Sequence, residues 1–220
     1  MTETGRIIKI VSSRYEVLAA NQERVLCVAM GKLRKAHSPV VGDLVEFERF
    51  ADQNGIQKIL PRKNALVRPS IANVDQAIIV MSCKDPDFST TLIDRLIFSV
   101  CYAGIRPVLC ITKLDLIAEN DAIHEEIQHY IDSGYEVYQS GKGYASEDLI
   151  QALKGNISVL TGQSGAGKSS LLNRIDPTFH LQTQEISKAL GRGKHTTRHC
   201  ELHEIAGGWV ADFPHWILLR

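Results

Sequence analysis

The chain has 220 residues, of which 44% are hydrophobic, and its 25 basic side chains balance its 25 acidic ones. This composition allows one large or two small packed domains and excludes a chain that is disordered throughout. No apolar run approaches the roughly 20 residues that span a bilayer, so no membrane segment is expected. The 5 cysteines show no CxxC spacing, so no zinc knuckle or redox pair is expected. Their odd number, with no signal-peptide pattern, favours a reducing, cytoplasmic compartment. Cys83, Cys101 and Cys110 lie in apolar surroundings and are expected to be buried thiols.

Residues 1–65 show a pattern of short strands. Apolar runs in this region are separated by polar or glycine-containing turns such as HSPVVGD and DQNG. Five such strands in roughly 60 residues predict a small closed barrel, and an OB-fold is the interpretation that we favour. An SH3-like barrel would give much the same pattern. Tyr15 and Phe47 either stack on a ligand or belong to the barrel core.

The amino-terminal region is also basic. Residues 1–69 hold 12 basic against 7 acidic side chains, which indicates either an RNA-binding surface or an ordinary solvated one. Phosphate contacts through such side chains would make the affinity for RNA fall steeply with salt. The basic candidates are Arg6, Lys9, Lys32, Arg34, Lys35, Arg62 and Lys63.

The basic, proline-containing segment PRKNALVRPS is typical of linker sequence, and a linker at residues 66–73 is expected to lead into a second domain at residues 74–220. There VDQAIIVMS is an almost continuous apolar run, typical of a strand covered on both faces. STTLIDRLIFSVCYAGI has helical periodicity, and either Ser89 or Thr90 can cap that helix. Strand-like and helix-like segments then alternate as far as KSSLLNRI. The alternation predicts an α/β domain with a mostly parallel, doubly wound sheet.

A glycine-rich segment between a predicted strand and a predicted helix fits the phosphate-loop pattern G-x-x-x-x-G-K-[ST]. Glycines let backbone N–H groups converge on phosphate oxygens, and the helix N-terminus adds positive potential. Lys168 would reach the β- and γ-phosphates, and the Ser169 hydroxyl would bind Mg²⁺. The predicted nucleotide contacts of this segment are Gly162, Gln163, Ser164, Gly165, Ala166, Gly167, Lys168, Ser169 and Ser170.

Two earlier segments predict that the nucleotide is GTP or GDP. Thr112, Lys113 and Asp115 fit the [NT]KxD pattern, in which the carboxylate accepts both N1–H and the exocyclic amine of guanine while the lysine stem packs over the base. Adenine cannot supply both donors, so an ATP-using kinase fits this pattern poorly. Ser140 and Gly141 follow the next predicted strand, where a backbone N–H could meet guanine O6, although Ser-Gly is also a simple turn.

The base-reading segments precede the phosphate loop, whereas ordinary small GTPases have the opposite order. The same sheet can be built if the old termini are joined and new ones are opened elsewhere. This order, together with the barrel, resembles the circularly permuted GTPases and more closely the ribosome small-subunit-dependent GTPase A family. The resemblance runs from about residue 5 to Asp212. The segments that carry it are GKLRK, PVVGDLVEF, ILPRKNALVRP, NVDQAIIVMS, TKLDL, LTGQSGAGKSSLLNRI and GRGKHTTRH.

The resemblance implies an OB-fold, a permuted GTPase domain and GTP hydrolysis that the small ribosomal subunit stimulates during its late maturation. The expected partners are therefore the small subunit and its rRNA. Thr196 or Thr197 is the expected switch threonine for Mg²⁺ and the γ-phosphate, and Thr197 is favoured. His195 would orient or activate the attacking water, or is simply an exposed or RNA-facing histidine, because no water-positioning glutamine is evident.

One segment departs from the family pattern. The family has DxPG where this chain has Asp212, Phe213, Pro214 and His215, and the aspartate is expected to hold Mg²⁺ through water. A histidine in the glycine position opposes close approach of the backbone to the γ-phosphate. The family would also continue into a helix and a zinc-binding domain, which these 220 residues do not contain.

Two functions are therefore weighed. The favoured one is a Mg²⁺-dependent GTPase that is slow without its ribosomal partner, acts in late small-subunit maturation, and is monomeric and cytoplasmic. The alternative is a module that binds guanine nucleotide and RNA with little or no hydrolysis, because the segment at Asp212 is altered and the chain ends early.

Overall fold

The computed structural model describes residues 2–31, 33, 38–67, 69–143, 147–177 and 201–211. Within these ranges the chain forms two compact units. The first contains residues up to Val74 together with the segment that ends at His203, and the second begins at Asp75 and includes the segment from Glu204. The domain boundaries 1–65, 66–73 and 74–220 stay predictions.

The first unit is a closed barrel of five strands in the order β1-β2-β3-β5-β4, as the sequence predicted. Neighbouring strands are antiparallel except β3 and β5, which are parallel. The strands are β1 (Thr2–Val11), β2 (Arg14–Ala19), β3 (Arg24–Ala29), β4 (Leu44–Arg49) and β5 (Asn54–Ile59).

Alternating side chains of the barrel strands point inward and form its core. Ile7, Val17 and Ile56 are fully buried in the first unit. Phe47 has no exposed surface and Tyr15 is 9% exposed, so both aromatic side chains belong to the core and neither offers an open ring for stacking. This burial follows the period of two in each strand, where every second residue faces the interior.

A short hairpin follows the barrel strands. Its two strands, β6 (Ala65–Leu66) and β7 (Ile71–Ala72), are antiparallel. Ile71 and Ala72 are buried, and the Ala72 amide donates to the Val41 carbonyl at 2.9 Å. The segment expected to act as a linker thus contributes apolar side chains and a backbone hydrogen bond to the first unit.

The second unit is built on a six-stranded sheet in the order β10-β9-β8-β11-β13-β12. The pairs β8–β9, β9–β10, β8–β11 and β11–β13 are parallel, which confirms the mostly parallel α/β prediction. The strands are β8 (Gln76–Ser82), β9 (Arg106–Thr112), β10 (Glu136–Gln139), β11 (Ile157–Gly162), β12 (His203–Ile205) and β13 (Gly208–Ala211). All seven residues of β8 are buried, as expected for a strand covered on both faces.

The helices of this unit connect the parallel strands. They are α1 (Thr90–Tyr102), α2 (Ile123–Asp132), α3 (Glu147–Leu153) and α4 (Lys168–Ile175), with a 3₁₀ turn at Leu114–Leu116. Ser89, not Thr90, caps α1, because its side chain accepts from the Leu92 amide at 3.3 Å. α1 buries Ile93, Leu96, Ile97 and Val100, and α4 buries Leu171 and Leu172. No helix in the described ranges has both the length and the apolar character to cross a bilayer.

The parallel strands determine where a ligand site can form. Strands β8, β9, β10 and β11 run in one direction, so the loops after them meet at one edge of the sheet. These loops contain the TKxD segment, the Ser140–Gly141 turn and the glycine-rich segment. Ile78, Val108 and Leu160 of these strands belong to one cluster of buried apolar side chains.

Candidate nucleotide-binding site

The glycine-rich segment joins β11 to α4, as the sequence predicted. The φ angles of Gly162, Gly165 and Gly167 are +131°, +82° and +91°. Residues with a Cβ rarely adopt such backbone angles. A Cβ on Gly162 would lie 2.0 Å from the Val80 carbonyl oxygen. Only glycine therefore lets this loop leave the sheet so close to β8.

The ammonium group of Lys168 lies within the curve of the loop. Its Nζ donates to the Gly162 carbonyl at 3.0 Å and to the Gln163 carbonyl at 2.9 Å. Lys168 begins α4, and no side chain caps this helix at Gly167. The first-turn amides of α4 and the Lys168 ammonium thus provide positive potential at one place, which suits an anionic ligand.

Two buried polar atoms beside the loop have no hydrogen-bond partner among the described residues. They are the Thr161 hydroxyl oxygen at the end of β11 and the Gln163 side-chain oxygen in the loop. Buried polar groups in native proteins are nearly always paired with protein, water or a ligand. Unpaired polar atoms at a strand end and in the loop whose carbonyls hold the Lys168 ammonium are therefore typical of a binding site whose hydrogen bonds are completed by a ligand.

The predicted base-reading strand contacts the phosphate loop directly. Thr112 is 5% exposed, and its hydroxyl lies 2.6 Å from the Ala166 carbonyl and 3.3 Å from the Met81 carbonyl. The shorter distance identifies Ala166 as the main acceptor. The threonine of the TKxD pattern therefore fixes the phosphate loop against the end of β9.

Asp115 meets the loop that follows β10. Its Oδ1 accepts from the Lys142 amide at 3.0 Å, and its carboxylate is exposed. Ser140 is 5% exposed and its amide donates to the Ile111 carbonyl at 2.8 Å. The structure thus brings the two predicted base-reading segments together, with a carboxylate that keeps acceptor capacity toward solvent.

The loop after β8 also borders the site, although the sequence analysis did not single it out. The Lys113 ammonium donates to the Asp85 carbonyl, and Lys113 itself has a left-handed φ of +60°. A Cβ on Gly165 would lie 3.4 Å from the Pro86 ring. This loop could have been identified from the sequence because it directly follows the predicted strand β8. Loops that follow parallel strands lie at the same edge of the sheet, where ligands bind.

Arg174 on α4 is a second residue that the sequence analysis missed. Its Nη1 lies 3.1 Å from the Ser140 hydroxyl oxygen and 3.0 Å from the Gly141 carbonyl oxygen. No motif spacing relates Arg174 to the turn 33 or 34 positions earlier in the chain. The contact depends on the sheet, which places the end of α4 beside the loop after β10.

Two thiols lie close to this edge of the sheet. Burial raises the pKa of Cys83 to about 11, and the Asp121 and Asp115 carboxylates raise it further. Burial likewise raises the pKa of Cys110 to about 12, against a smaller lowering by Arg174. Both are neutral thiols near pH 7 and not nucleophiles. Cys101, by contrast, is exposed on α1, so its predicted burial is wrong.

The remaining predicted residues divide into two groups. Ser164, Gly165 and Ser170 are exposed at the loop and the start of α4, while Ala166 is buried and Ser169 is half-buried. His195, Thr196, Thr197 and Asp212 lie outside the described residues, so their roles stay predictions. Among the residues that the structure describes, no three His, Cys, Asp or Glu side chains cluster as metal ligands would.

The basic candidates of the barrel have intramolecular partners where they are described. Arg6 donates to the Gly42 carbonyl at 3.0 Å, and the Lys9 ammonium lies 2.7 Å from the Glu201 carboxylate. Arg62 forms a bidentate salt bridge with the fully buried Asp43 carboxylate, with Nε–Oδ1 at 2.6 Å and Nη2–Oδ2 at 2.8 Å. That hydrogen bonding raises the pKa of Arg62. Lys32, Arg34 and Lys35 lie outside the described residues.

The barrel, the parallel sheet and the order of the motifs around it define a circularly permuted P-loop GTPase. The family model of the RsgA GTPase matches residues 59–216, and that of the RsgA N-terminal domain matches residues 4–56. The chain belongs to the RsgA GTPase family. This result confirms the resemblance inferred from the motifs and identifies the chain as a GTP-hydrolysing enzyme.

Individual relatives agree with this assignment. The chain is 49% identical over 225 residues to the small ribosomal subunit biogenesis GTPase RsgA 2 of Oceanobacillus iheyensis, covering 98% of this chain and 75% of the relative. It is 45% identical to RsgA of Bacillus subtilis, covering 96% and 74%. Among solved structures, YloQ, a circularly permuted GTPase, matches with a TM-score of 0.80 at 37% identity, covering 97% and 71%. YjeQ from Thermotoga maritima gives 0.83 at 33%, covering 97% and 75%.

Proposed function

We propose that this chain is a Mg²⁺-dependent GTPase that acts in maturation of the small ribosomal subunit and contacts its rRNA. The observation that carries the nucleotide site is the hydrogen bond between the Thr112 hydroxyl and the Ala166 carbonyl. It joins the predicted base-reading segment to the predicted phosphate loop. A surface Lys/Asp pair or a chance glycine turn would not require this contact.

The phosphates of GTP would lie in the loop between Gly162 and Lys168. There the Lys168 ammonium exchanges its two carbonyl acceptors for phosphate oxygens, and the amides at the start of α4 face the same anion. Charge that develops on the γ-phosphate during attack by water is stabilised by these fixed donors. The Lys168 side chain is already inside the loop, so binding needs little rearrangement of its stem.

Ser169 is the predicted Mg²⁺ ligand that lies among the described residues. Ser169 supplies a hydroxyl oxygen in the first turn of α4, and oxygen ligands are those that Mg²⁺ prefers. The ion, when bound, supplies neutralisation of the β- and γ-phosphate charge. Thr197 and Asp212 are proposed as the further contacts, and His195 is proposed to orient the attacking water. The absence of a recognisable catalytic glutamine or arginine finger in the sequence predicts slow hydrolysis without a partner.

Guanine selectivity would come from Asp115 and the turn after β10. The exposed carboxylate can accept N1–H and the exocyclic amine, while Lys113 packs over the base. Thr112 and Lys113 hold this segment against the phosphate loop and against the loop after β8. Adenine lacks this donor pair, so the arrangement supports GTP and GDP over ATP.

The ribosomal role is supported by the relatives, which are named as small ribosomal subunit biogenesis GTPases. The barrel is the proposed RNA-contacting part. A monomeric state and a cytoplasmic location stay predictions. Because Arg6, Lys9 and Arg62 are engaged within the first unit, other basic side chains are proposed to contact phosphates.

GTP hydrolysis with and without purified small ribosomal subunits tests the proposal, with GTP and GDP affinities measured in parallel. The expected result is guanine-nucleotide binding with slow turnover that small subunits accelerate. Tight guanine binding without stimulated turnover would favour the alternative, a module that binds nucleotide and RNA. Failure to bind GTP or GDP at all would overturn the site.

A further inference from the structure

We propose that Arg174 is a positioning residue for guanine recognition, which holds the loop after β10 so that Asp115 is correctly aimed. The inference rests on the proposed nucleotide site and adds a residue to it. Arg174 is the seventh residue of α4, the helix whose first residue is Lys168. One helix would therefore serve both the phosphates and the base of the same nucleotide.

The contacts of Arg174 concentrate on one short turn. Its Nη1 is 3.1 Å from the Ser140 hydroxyl oxygen and 3.0 Å from the Gly141 carbonyl oxygen, and both atoms accept. Ser140 is 5% exposed, whereas Arg174 is exposed at the end of its helix. A charged donor with two acceptors in this position makes stronger hydrogen bonds than a neutral one.

The peptide unit between Gly141 and Lys142 is held at both ends. Arg174 binds its carbonyl, and Asp115 binds its N–H at 3.0 Å. In a planar trans peptide, the C=O and N–H bonds point in opposite directions. Fixing the carbonyl toward Arg174 therefore fixes the direction of the Lys142 N–H, and with it the orientation of the Asp115 carboxylate.

Arg174 is not among the buried side chains that attach α4 to the second unit. The buried side chains of α4 are Leu171 and Leu172, which pack into the apolar cluster under the sheet. Arg174 contributes no buried apolar side chain to that cluster. Its removal should thus loosen the turn without unfolding α4, because helix stability in proteins comes mainly from the packed face.

The test compares R174M and R174K with the wild-type chain for GDP and IDP affinity. IDP lacks the exocyclic amine, so a well-oriented Asp115 favours GDP over IDP. We expect R174M to weaken GDP binding about tenfold and IDP binding less, so that the preference for GDP falls. R174K retains a donor and should recover most of the preference. R95M is the matched control, because Arg95 is an exposed arginine of α1 without a partner in the described part of the chain.

Two results would overturn the inference. One is an unchanged GDP-to-IDP ratio in R174M; the other is a lowered Tm in R174M with a preference that R174K fails to recover, which would indicate a general structural role. The proposed site is checked separately by K168A. If K168A still binds GDP as wild type does, the site is wrong; if K168A fails to bind but R174M keeps its preference, only the role of Arg174 is wrong.

Discussion

The two units of this chain use charged side chains in different ways. In the first unit, the described basic residues Arg6, Lys9 and Arg62 are engaged by carbonyl or carboxylate groups of the same unit. At the edge of the sheet, Asp115 accepts one backbone amide and otherwise faces solvent, and Lys168 donates to the carbonyls of its own loop. A charge count therefore says little about binding, whereas charge placed by a motif at a strand end says much more.

The difference has a physical origin. A motif such as the glycine-rich segment fixes backbone geometry, since Gly162 approaches the β8 backbone more closely than a residue with a Cβ could. Its polar groups are then aimed by the fold. A surplus of arginine and lysine fixes no geometry, and each side chain pairs with whatever acceptor the fold provides.

The largest effect that would test this comparison is expected from K168A. Removing the ammonium from the loop should weaken GTP binding by at least about 100-fold, because a charged donor to the phosphates is lost in a partly desolvated site. Nucleotide affinity by calorimetry measures this, and unchanged circular dichroism excludes unfolding. Retained GTP affinity would show that the charge in the loop has no binding role.

The next effect concerns the choice of base. In D115N, an amide replaces the carboxylate, so the exocyclic amine of guanine loses its acceptor. Xanthine has a carbonyl in place of that amine, and the amide NH₂ of the variant can donate to it. We expect the ratio of GDP to XDP affinity to fall by about 100-fold, as good paired hydrogen bonds discriminate bases by about 1–3 kcal/mol. Competition binding with both nucleotides measures the ratio. D121N is a matched control. It makes the same chemical change at Asp121, whose carboxylate accepts from the Ile123 amide at the start of α2 and is not proposed to contact the base.

In the first unit, R62M tests whether a basic side chain with an intramolecular partner contributes to stability. This change leaves the fully buried Asp43 carboxylate without its guanidinium, although the Val40 amide still donates to it at 2.8 Å. We expect a loss of about 2–3 kcal/mol in the free energy of unfolding, measured with denaturant. R24M, which removes the more exposed pair with Glu16, should cost less than about 1 kcal/mol. If R62M and R24M lost the same free energy of unfolding, burial of Asp43 would not strengthen the contribution of its ion pair to stability.

Much of the fold was predictable because its signals are local. The alternation of strands and helices gave the parallel sheet, and the period-two runs gave the five-stranded barrel. The TKxD segment and the glycine-rich segment came from motif spacing, and the structure places Thr112 and Ala166 in contact. Local signals could not decide whether Tyr15 and Phe47 stack or pack, because an aromatic residue in a strand fits either face.

The residues that the sequence analysis missed depend on tertiary structure. Arg174 reaches Ser140 only because α4 starts at the sheet edge where the loop after β10 also lies. The loop at Asp85 and Pro86 has no motif, yet it receives the Lys113 ammonium and borders Gly165. Cys101 was expected to be buried from its apolar neighbours, but the helix turns it toward solvent.

The smallest expected effect is that of K9M, and it bears most directly on the comparison. Lys9 and Glu201 form a half-exposed pair, which contributes about 0–1 kcal/mol to stability. If the Lys9 ammonium is held by Glu201 and not by RNA, K9M should leave the salt dependence of small-subunit rRNA affinity unchanged. A lysine that contacts phosphate would instead lower the slope by about 1 when removed. Filter binding across a salt series measures the slope, and such a drop would assign Lys9 to RNA despite its intramolecular partner.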